Sequence, residues 1–341
     1  MTSRERVKRT LTFRCPDRVP RDLWKLPIAL NKYEKEIEAI LERFPPDIGH
    51  PEYTPPLKNY TKGDPYEIGT YTDEWGCIFR NAQRGIIGEV KEPIVQNLSD
   101  IDKVRPPYEL LDILARNIEK INESCRKSDK FMLGGGANPF ERMQWLRGTP
   151  NLYMDIIDQP LEFFKLKDIV HNYFTKLIEV WTKTEVDGIV FADDWGAQNS
   201  LLISPTLFRK FFKPLYKDYC NLIHNAGKFA FMHSDGHIFD IYEDLIEVGV
   251  DAVNSQLFCM NIKEIGKRVK GRITFWGEID RQHILPSKNI EDTRRAVRRV
   301  KEALYDKHGG VIAQCEFGAA ARPENIEVMF EEWEKVKKDY V

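Results

Sequence analysis

The sequence predicts an α/β fold, a (β/α)8 TIM barrel with an N-terminal helical and hairpin extension, on three observations. From residue 100 onward short apolar runs alternate with longer helical patterns, the signature of βαβ units and a parallel sheet. No G-x-G-x-x-G follows a predicted strand, which disfavours an open dinucleotide-binding sheet. Polar and charged residues gather just after the apolar runs, at the end where a barrel of this class carries its chemistry.

Taken in order, Thr2-Ser-Arg-Glu-Arg-Val-Lys-Arg-Thr-Leu11 offers a capping residue and then apolar positions at helical spacing, ended by Cys15-Pro16-Asp17. Residues 21–24 read as a strand and 32–44 as a helix. The Pro-, Tyr- and Gly-rich passage 45–69 is loop or lid, because proline removes backbone donors and fixes φ. Residues 72–80 and 85–90, joined by a turn at 81–84, read as an antiparallel hairpin outside the barrel proper. Further strands are expected over 131–133, 188–191, 229–232, 252–254, 273–276 and 311–314. That leaves the barrel one strand short, and the gap between Trp24 and Phe131 is where the missing one belongs. All of 1–341 reads as a single barrel domain, with 1–100 holding the extension, the lid loop and the hairpin.

Composition narrows the function. Lys and Arg total 51 and Asp and Glu 53, interspersed, for a net charge of −2, so no long-range field favours nucleic acid or an anionic membrane. A small-molecule partner is expected instead. No apolar run approaches a membrane span and the start lacks a signal-peptide core, which points to a cytoplasmic protein. Six cysteines (15, 77, 125, 220, 259 and 315) stand singly, arguing against a disulfide framework or a zinc ribbon.

The candidate site lies at the strand exits. Phe229-Ala-Phe-Met-His-Ser-Asp-Gly236 delivers His233 and Asp235, which alternation along an extended exit can return to one face. Val311-Ile-Ala-Gln-Cys-Glu-Phe-Gly318 delivers Cys315 and Glu316, and Trp276-Gly-Glu-Ile-Asp280 delivers Glu278. Such exits can hold a divalent metal. Asp193-Asp194-Trp195-Gly196 brings adjacent carboxylates and an indole to the rim, although a helix N-cap is an equally good use for one Asp. Gly134-Gly-Gly-Ala-Asn-Pro139 lets backbone approach a ligand closely, with Asn138 beside it, although a tight turn explains the glycines too.

The opening Thr2-Ser-Arg-Glu-Arg-Val with Pro16-Asp-Arg-Val-Pro20, the exit Met232-His-Ser-Asp-Gly-His237 followed by Leu245-Ile-Glu-Val-Gly-Val-Asp-Ala-Val-Asn254, and the closing Pro323-Glu-Asn-Ile resemble the uroporphyrinogen decarboxylase superfamily. The resemblance implies a barrel with its site at the C-terminal rim. Decarboxylases of the superfamily carry an R-Q-A-G-R type segment that grips porphyrin carboxylates, where this chain has Arg18-Val-Pro-Arg-Asp-Leu-Trp-Lys25. The chain is more similar to the branch of corrinoid-dependent methyltransferases, whose zinc is held by His-x-Cys and a later Cys. That places His233 and Cys315 on matching positions, with Asp235 where the first Cys should stand and Glu278 as a candidate fourth ligand. Replacing a thiolate by a carboxylate makes a harder, more Lewis-acidic zinc, suited to an oxygen substrate.

The expectation that follows is methyl transfer from an aryl methyl ether or another O-methyl compound to a corrinoid on a separate carrier protein. No D-x-H-x-x-G segment of the cobalt-ligating kind occurs, so the corrinoid belongs to the partner. Asp193 or Asp194 and Gln198 would position substrate hydroxyls, and Trp24, Trp195 or Trp276 would form a flat apolar wall. The rivals are methylation of a coenzyme M-type thiol, metal-free decarboxylation, and a non-catalytic module that binds corrinoid proteins. The hairpin near Trp75 also offers an edge through which two copies would pair.

Overall fold

The computed structural model describes residues 1–336. Eight strands form one parallel sheet: β1 (Arg21–Lys25), β2 (Ile48–Gly49), β3 (Phe131–Ala137), β4 (Gly188–Ala192), β5 (Phe229–Ser234), β6 (Ala252–Ser255), β7 (Thr274–Trp276) and β8 (Val311–Phe317). From β2 to β8 neighbours in sequence are neighbours in space, and β8 pairs with β1, Leu23 opposite Cys315. Helices cross from most strands to the next, as right-handed parallel connections require. The architecture is the expected (β/α)8 barrel.

The strand missing from the sequence reading is β2, only two residues long. Pro45, Pro46 and Pro51 flank it, so little chain is left that can donate to a ladder. Between β1 and β2 the barrel is closed by Asp47. Its N–H donates to the Arg21 carbonyl (2.8 Å), while its Oδ2 accepts from the Arg21 N–H (2.8 Å). The carboxylate is fully buried and also takes Arg6 (2.6 Å), Arg18 (2.7 Å) and Ser3 (2.7 Å), the pairing that makes a buried charge tolerable. Arg18 is thus committed to closing the barrel, and Arg21 pairs with Glu334.

Alternate strand residues face opposite sides. One set, with Phe131, Leu133, Phe231, Ala252, Trp276 and Ile312, fills the interior, and helix Ser3–Leu11 plugs its lower end with Val7 and Leu11. The other set packs against the helices: Leu23, Ile189, Phe191, Ala230, Val253, Ala313, Cys315 and Phe317.

The extension differs in detail from the expected hairpin. It is a three-stranded antiparallel sheet, Gly69–Thr72, Ile78–Asn81 and Glu89–Glu92. Residues 73–77 make the first connection because Asp73 Oδ1 accepts from the Trp75 and Cys77 N–H groups (3.0 and 2.7 Å). Asp73 and Glu74 also clasp the buried Arg142 guanidinium, which tethers this sheet to helix Pro139–Arg147.

Candidate functional site

The upper layer of the barrel interior is polar. Beyond Phe231 the inward positions of β5 become His233 and then Asp235, and Asp194 follows β4. His233 Nε2 lies 3.6 Å from Asp194 Oδ1 and 3.7 Å from Asp235 Oδ1. One ligand atom from each of these three side chains lies within 4.8 Å of the others. The Asp235 N–H donates to Asp194 Oδ1 (2.8 Å), so the exits of β4 and β5 hold each other in place.

The imidazole is fixed from behind. Asn254 Nδ2 donates to the carbonyl of Trp276 and to Gln314 Oε1 (3.0 Å), which leaves Asn254 Oδ1 facing His233 Nδ1 at 2.7 Å. An amide oxygen only accepts, so Nδ1 carries the proton and the Nε2 lone pair is turned toward Asp194 and Asp235. This is the arrangement by which ligating histidines are oriented in metal sites.

Asp235 Oδ1 is buried with no hydrogen-bond partner among the described residues, a costly state that a cation beside it would relieve. An imidazole with two carboxylates is a donor set that zinc or a harder divalent ion accepts. His233, Asp194 and Asp235 therefore fit a divalent metal.

Around them negative charge accumulates. Arg281 pairs with Asp235 and with Glu316 (3.0 Å) and stands 4.0 Å from Glu278 Oε2. Burial, reinforced by Asp235, raises the Asp194 carboxyl above the ordinary range. Burial pushes Glu278, 2 % exposed and with Oε2 lacking a hydrogen bond among the described residues, up to about 8 against the opposing pull of Arg281. Burial likewise raises Glu141 to about 9, with Asp193 and Asp194 adding to it. In the metal-free chain both carboxyls are therefore shifted toward the protonated form.

Several expected residues lie elsewhere. Cys315 faces the helical layer with Ala313 and Phe317, while its neighbours Gln314 and Glu316 face inward to Asn254 and Arg281. Burial, with Glu278 adding, holds its thiol well above its usual value in the metal-free chain. Cys315, expected as a ligand, is thus not among the three converging side chains. Glu278 adjoins the cluster through Arg281 without belonging to the converging three.

Asp193 and Trp195 are structural. Asp193 is fully buried and caps helix Pro139–Arg147 from outside, accepting from the Phe140 and Glu141 N–H groups (3.0 and 2.8 Å) and from Tyr216 Oη (2.6 Å). Trp195 is fully buried, stacked on Phe140 at 4.0 Å, with its indole N–H on Tyr216 (2.8 Å). It forms no substrate wall.

Trp24 and Trp276 do meet at the interior. Both indole N–H groups donate to Asp22 Oδ2 (3.1 and 2.9 Å), and the Trp24 ring lies edge-on to His233 at 5.2 Å. Trp276 is buried, whereas Trp24 is half-buried. Gln198 lines a small cleft of about 50 Å³ with Glu278 and Arg281. Asn138 lines a different and larger cavity. Asn254, Asp22 and Glu141 escaped the sequence reading; for Asn254 the signal was its place two residues beyond inward-facing Ala252 at a strand exit.

No curated protein matches the chain at a significant level. Among solved structures, a methyltransferase from Methanosarcina mazei aligns over 98 % of this chain and 99 % of its own, with TM-score 0.70 and 16 % identity, which establishes the shared fold. An IOLI protein with a bound zinc atom aligns over 94 % of this chain and 98 % of its own, with TM-score 0.39 and 12 % identity. A Xanthomonas albilineans dihydropteroate synthase covers 57 % of this chain and 65 % of its own, with TM-score 0.31 and 9 % identity. Neither of these two looser likenesses bears on the site. The sequence profile of the uroporphyrinogen decarboxylase (URO-D) family matches residues 66–336, and the chain belongs to that family.

Proposed function

We propose that this protein is a metal-dependent methyltransferase that takes a methyl group from an O-methyl compound, an aryl methyl ether, and passes it to a corrinoid on a partner protein. The observation that carries the reading is the convergence of an Nδ1-protonated His233 with Asp194 and Asp235 at the C-terminal rim. Bound by these three, zinc would supply Lewis acidity toward the ether oxygen.

The chain's own groups serve the departure of that oxygen. As the methyl–oxygen bond breaks, the oxygen becomes a phenolate and needs a proton. Glu278, whose carboxyl burial raises above the usual range in the metal-free chain, is the group beside the cluster that would supply it. Asp22 holds the Trp24 indole against His233, giving the mouth an aromatic edge. Arg281 pairs with Asp235 and Glu316 and offsets part of their charge.

Two alternatives are less well supported. A substrate bearing many carboxylates meets Asp194, Asp235 and Glu316 at the mouth, while Arg18 and Arg21 are committed to Asp47 and Glu334. That disfavours porphyrin decarboxylation. A thiol acceptor is favoured by sulfur-rich zinc, and Cys315 is turned away.

The test is release of phenol from a panel of aryl methyl ethers by zinc-loaded protein with a reduced corrinoid carrier. Stoichiometric phenol and methylated carrier support the reading. Absence of demethylation across the panel, or methylation of a thiol by methylated carrier, defeats it.

A further inference from the structure

A cavity of about 380 Å³ lies beside the barrel mouth, and none of the metal-cluster residues lines it. Its volume falls in the range of small-molecule sites. Its floor is the backbone of β3. Gly134 allows the Trp181 indole to lie against the strand, since a Cβ there would come within 2.6 Å of the ring. At Gly136, with φ of +124°, a Cβ would meet nothing within 4 Å, so bare peptide borders open space. Leu111, Leu114 and Tyr173 complete a mostly apolar and aromatic wall.

Two polar groups break that wall. Arg142, 5 % exposed, lines the cavity, and its Nε–H has no acceptor among the described residues, although Asp73 and Glu74 hold the other end of the guanidinium. An unmet buried donor is expensive. His50 also lines the cavity; its Nδ1–H donates to the Leu133 carbonyl (2.9 Å), which makes Nε2 an acceptor in the neutral ring. One guanidinium between two carboxylates leaves the polar corner with no positive excess, so an anionic ligand gains nothing there.

We propose that this cavity binds a neutral aromatic molecule of one or two rings that carries a hydrogen-bond acceptor for Arg142 Nε–H and a hydroxyl donor for His50, as a methoxyphenol does. The assignment is independent of the methyl-transfer reading, whose ether oxygen must reach the metal cluster, and none of that cluster lines this cavity.

The experiment is calorimetric titration of metal-stripped, full-length protein with 2-methoxyphenol and with the same molecule bearing a ring carboxylate. The neutral ligand should bind at least tenfold tighter. Leu110→Trp and Leu177→Phe, two half-buried positions on the cavity wall, should each weaken it about tenfold, and His233→Ala should leave it unchanged. The proposal is overturned if the carboxylated ligand binds as tightly, if neither folded wall variant changes the affinity, or if His233→Ala abolishes binding. Binding without demethylation would remove the methyl-transfer reading and leave the cavity assignment standing. Demethylation that is indifferent to the wall variants would leave the methyl-transfer reading standing with its substrate bound elsewhere, and the titration alone decides the cavity assignment.

Discussion

Replacing Asn254 should separate the orientation of His233 from the stability of the barrel. In Asn254→Leu, the His233 Nδ1–H, Gln314 Oε1 and the Trp276 carbonyl all lose their partner in a fully buried position. An unsatisfied buried group costs about 1–3 kcal/mol, and the leucine side chain recovers part of that through packing, so the net loss is on the order of 3 kcal/mol. With Nδ1 released, the ring is free to adopt the other tautomer or turn away, and zinc affinity should fall about 10- to 100-fold, the usual effect of removing such a support. Asn254→Asp provides the contrast. The new carboxylate still accepts from Nδ1–H, and Gln314, whose Nε2 has no hydrogen-bond partner among the described residues, can turn its amide to donate to it. Zinc affinity should then stay within a few-fold of wild type, although the Trp276 carbonyl loses its donor. The assays are competition with a chromophoric chelator for affinity and urea denaturation for stability. Equal zinc affinity in Asn254→Leu and wild type, or parallel losses in both variants, would refute the tautomer argument.

Two further outcomes follow from the charges at the mouth. Arg281→Gln should tighten divalent-cation binding about tenfold, because the guanidinium now shares Asp235 and repels a cation a few Å away by ~1–3 kcal/mol at partial burial; weaker binding in the same competition assay would make Arg281 a support and not a competitor. Glu141 and Glu278 keep their protons in the metal-free folded chain up to about pH 9 and 8 but lose them near pH 4.3 when unfolded. The folded state therefore binds more protons between those limits, and stability should fall as pH rises from 6 to 8, by up to about 1.4 kcal/mol per unit for each group. Glu141→Gln should flatten the urea midpoint against pH, and a midpoint that rises over this interval would contradict the assignment.

The strand–helix alternation made the barrel legible, because fully buried parallel strands leave continuous apolar runs such as Phe229 to Met232. β2 left no such run. Its two residues are held by prolines and by Asp47, a tertiary solution with no local periodicity. At the site, the exits were readable but the faces were not. A shift of one residue along β8 exchanges Cys315 for Glu316 at the interior, and only the register against β1 decides which one points in. His233 and Asp235 were readable because they continue the inward parity of Phe231 past the end of an unbroken strand. Asp193 and Trp195 looked functional because two adjacent acids and an indole at an exit resemble a site. Here the helix at Pro139–Arg147 needed a cap from outside, since Asn138 makes no side-chain capping bond, and Asp193 supplies it.

The most direct measurement is the metal content of protein purified without chelators, in wild type, His233→Ala, Asp194→Asn and Cys315→Ala. The arrangement at the rim predicts near-stoichiometric zinc or another divalent ion in wild type and in Cys315→Ala, and little in the other two. Metal that survives in His233→Ala but is lost in Cys315→Ala would contradict it.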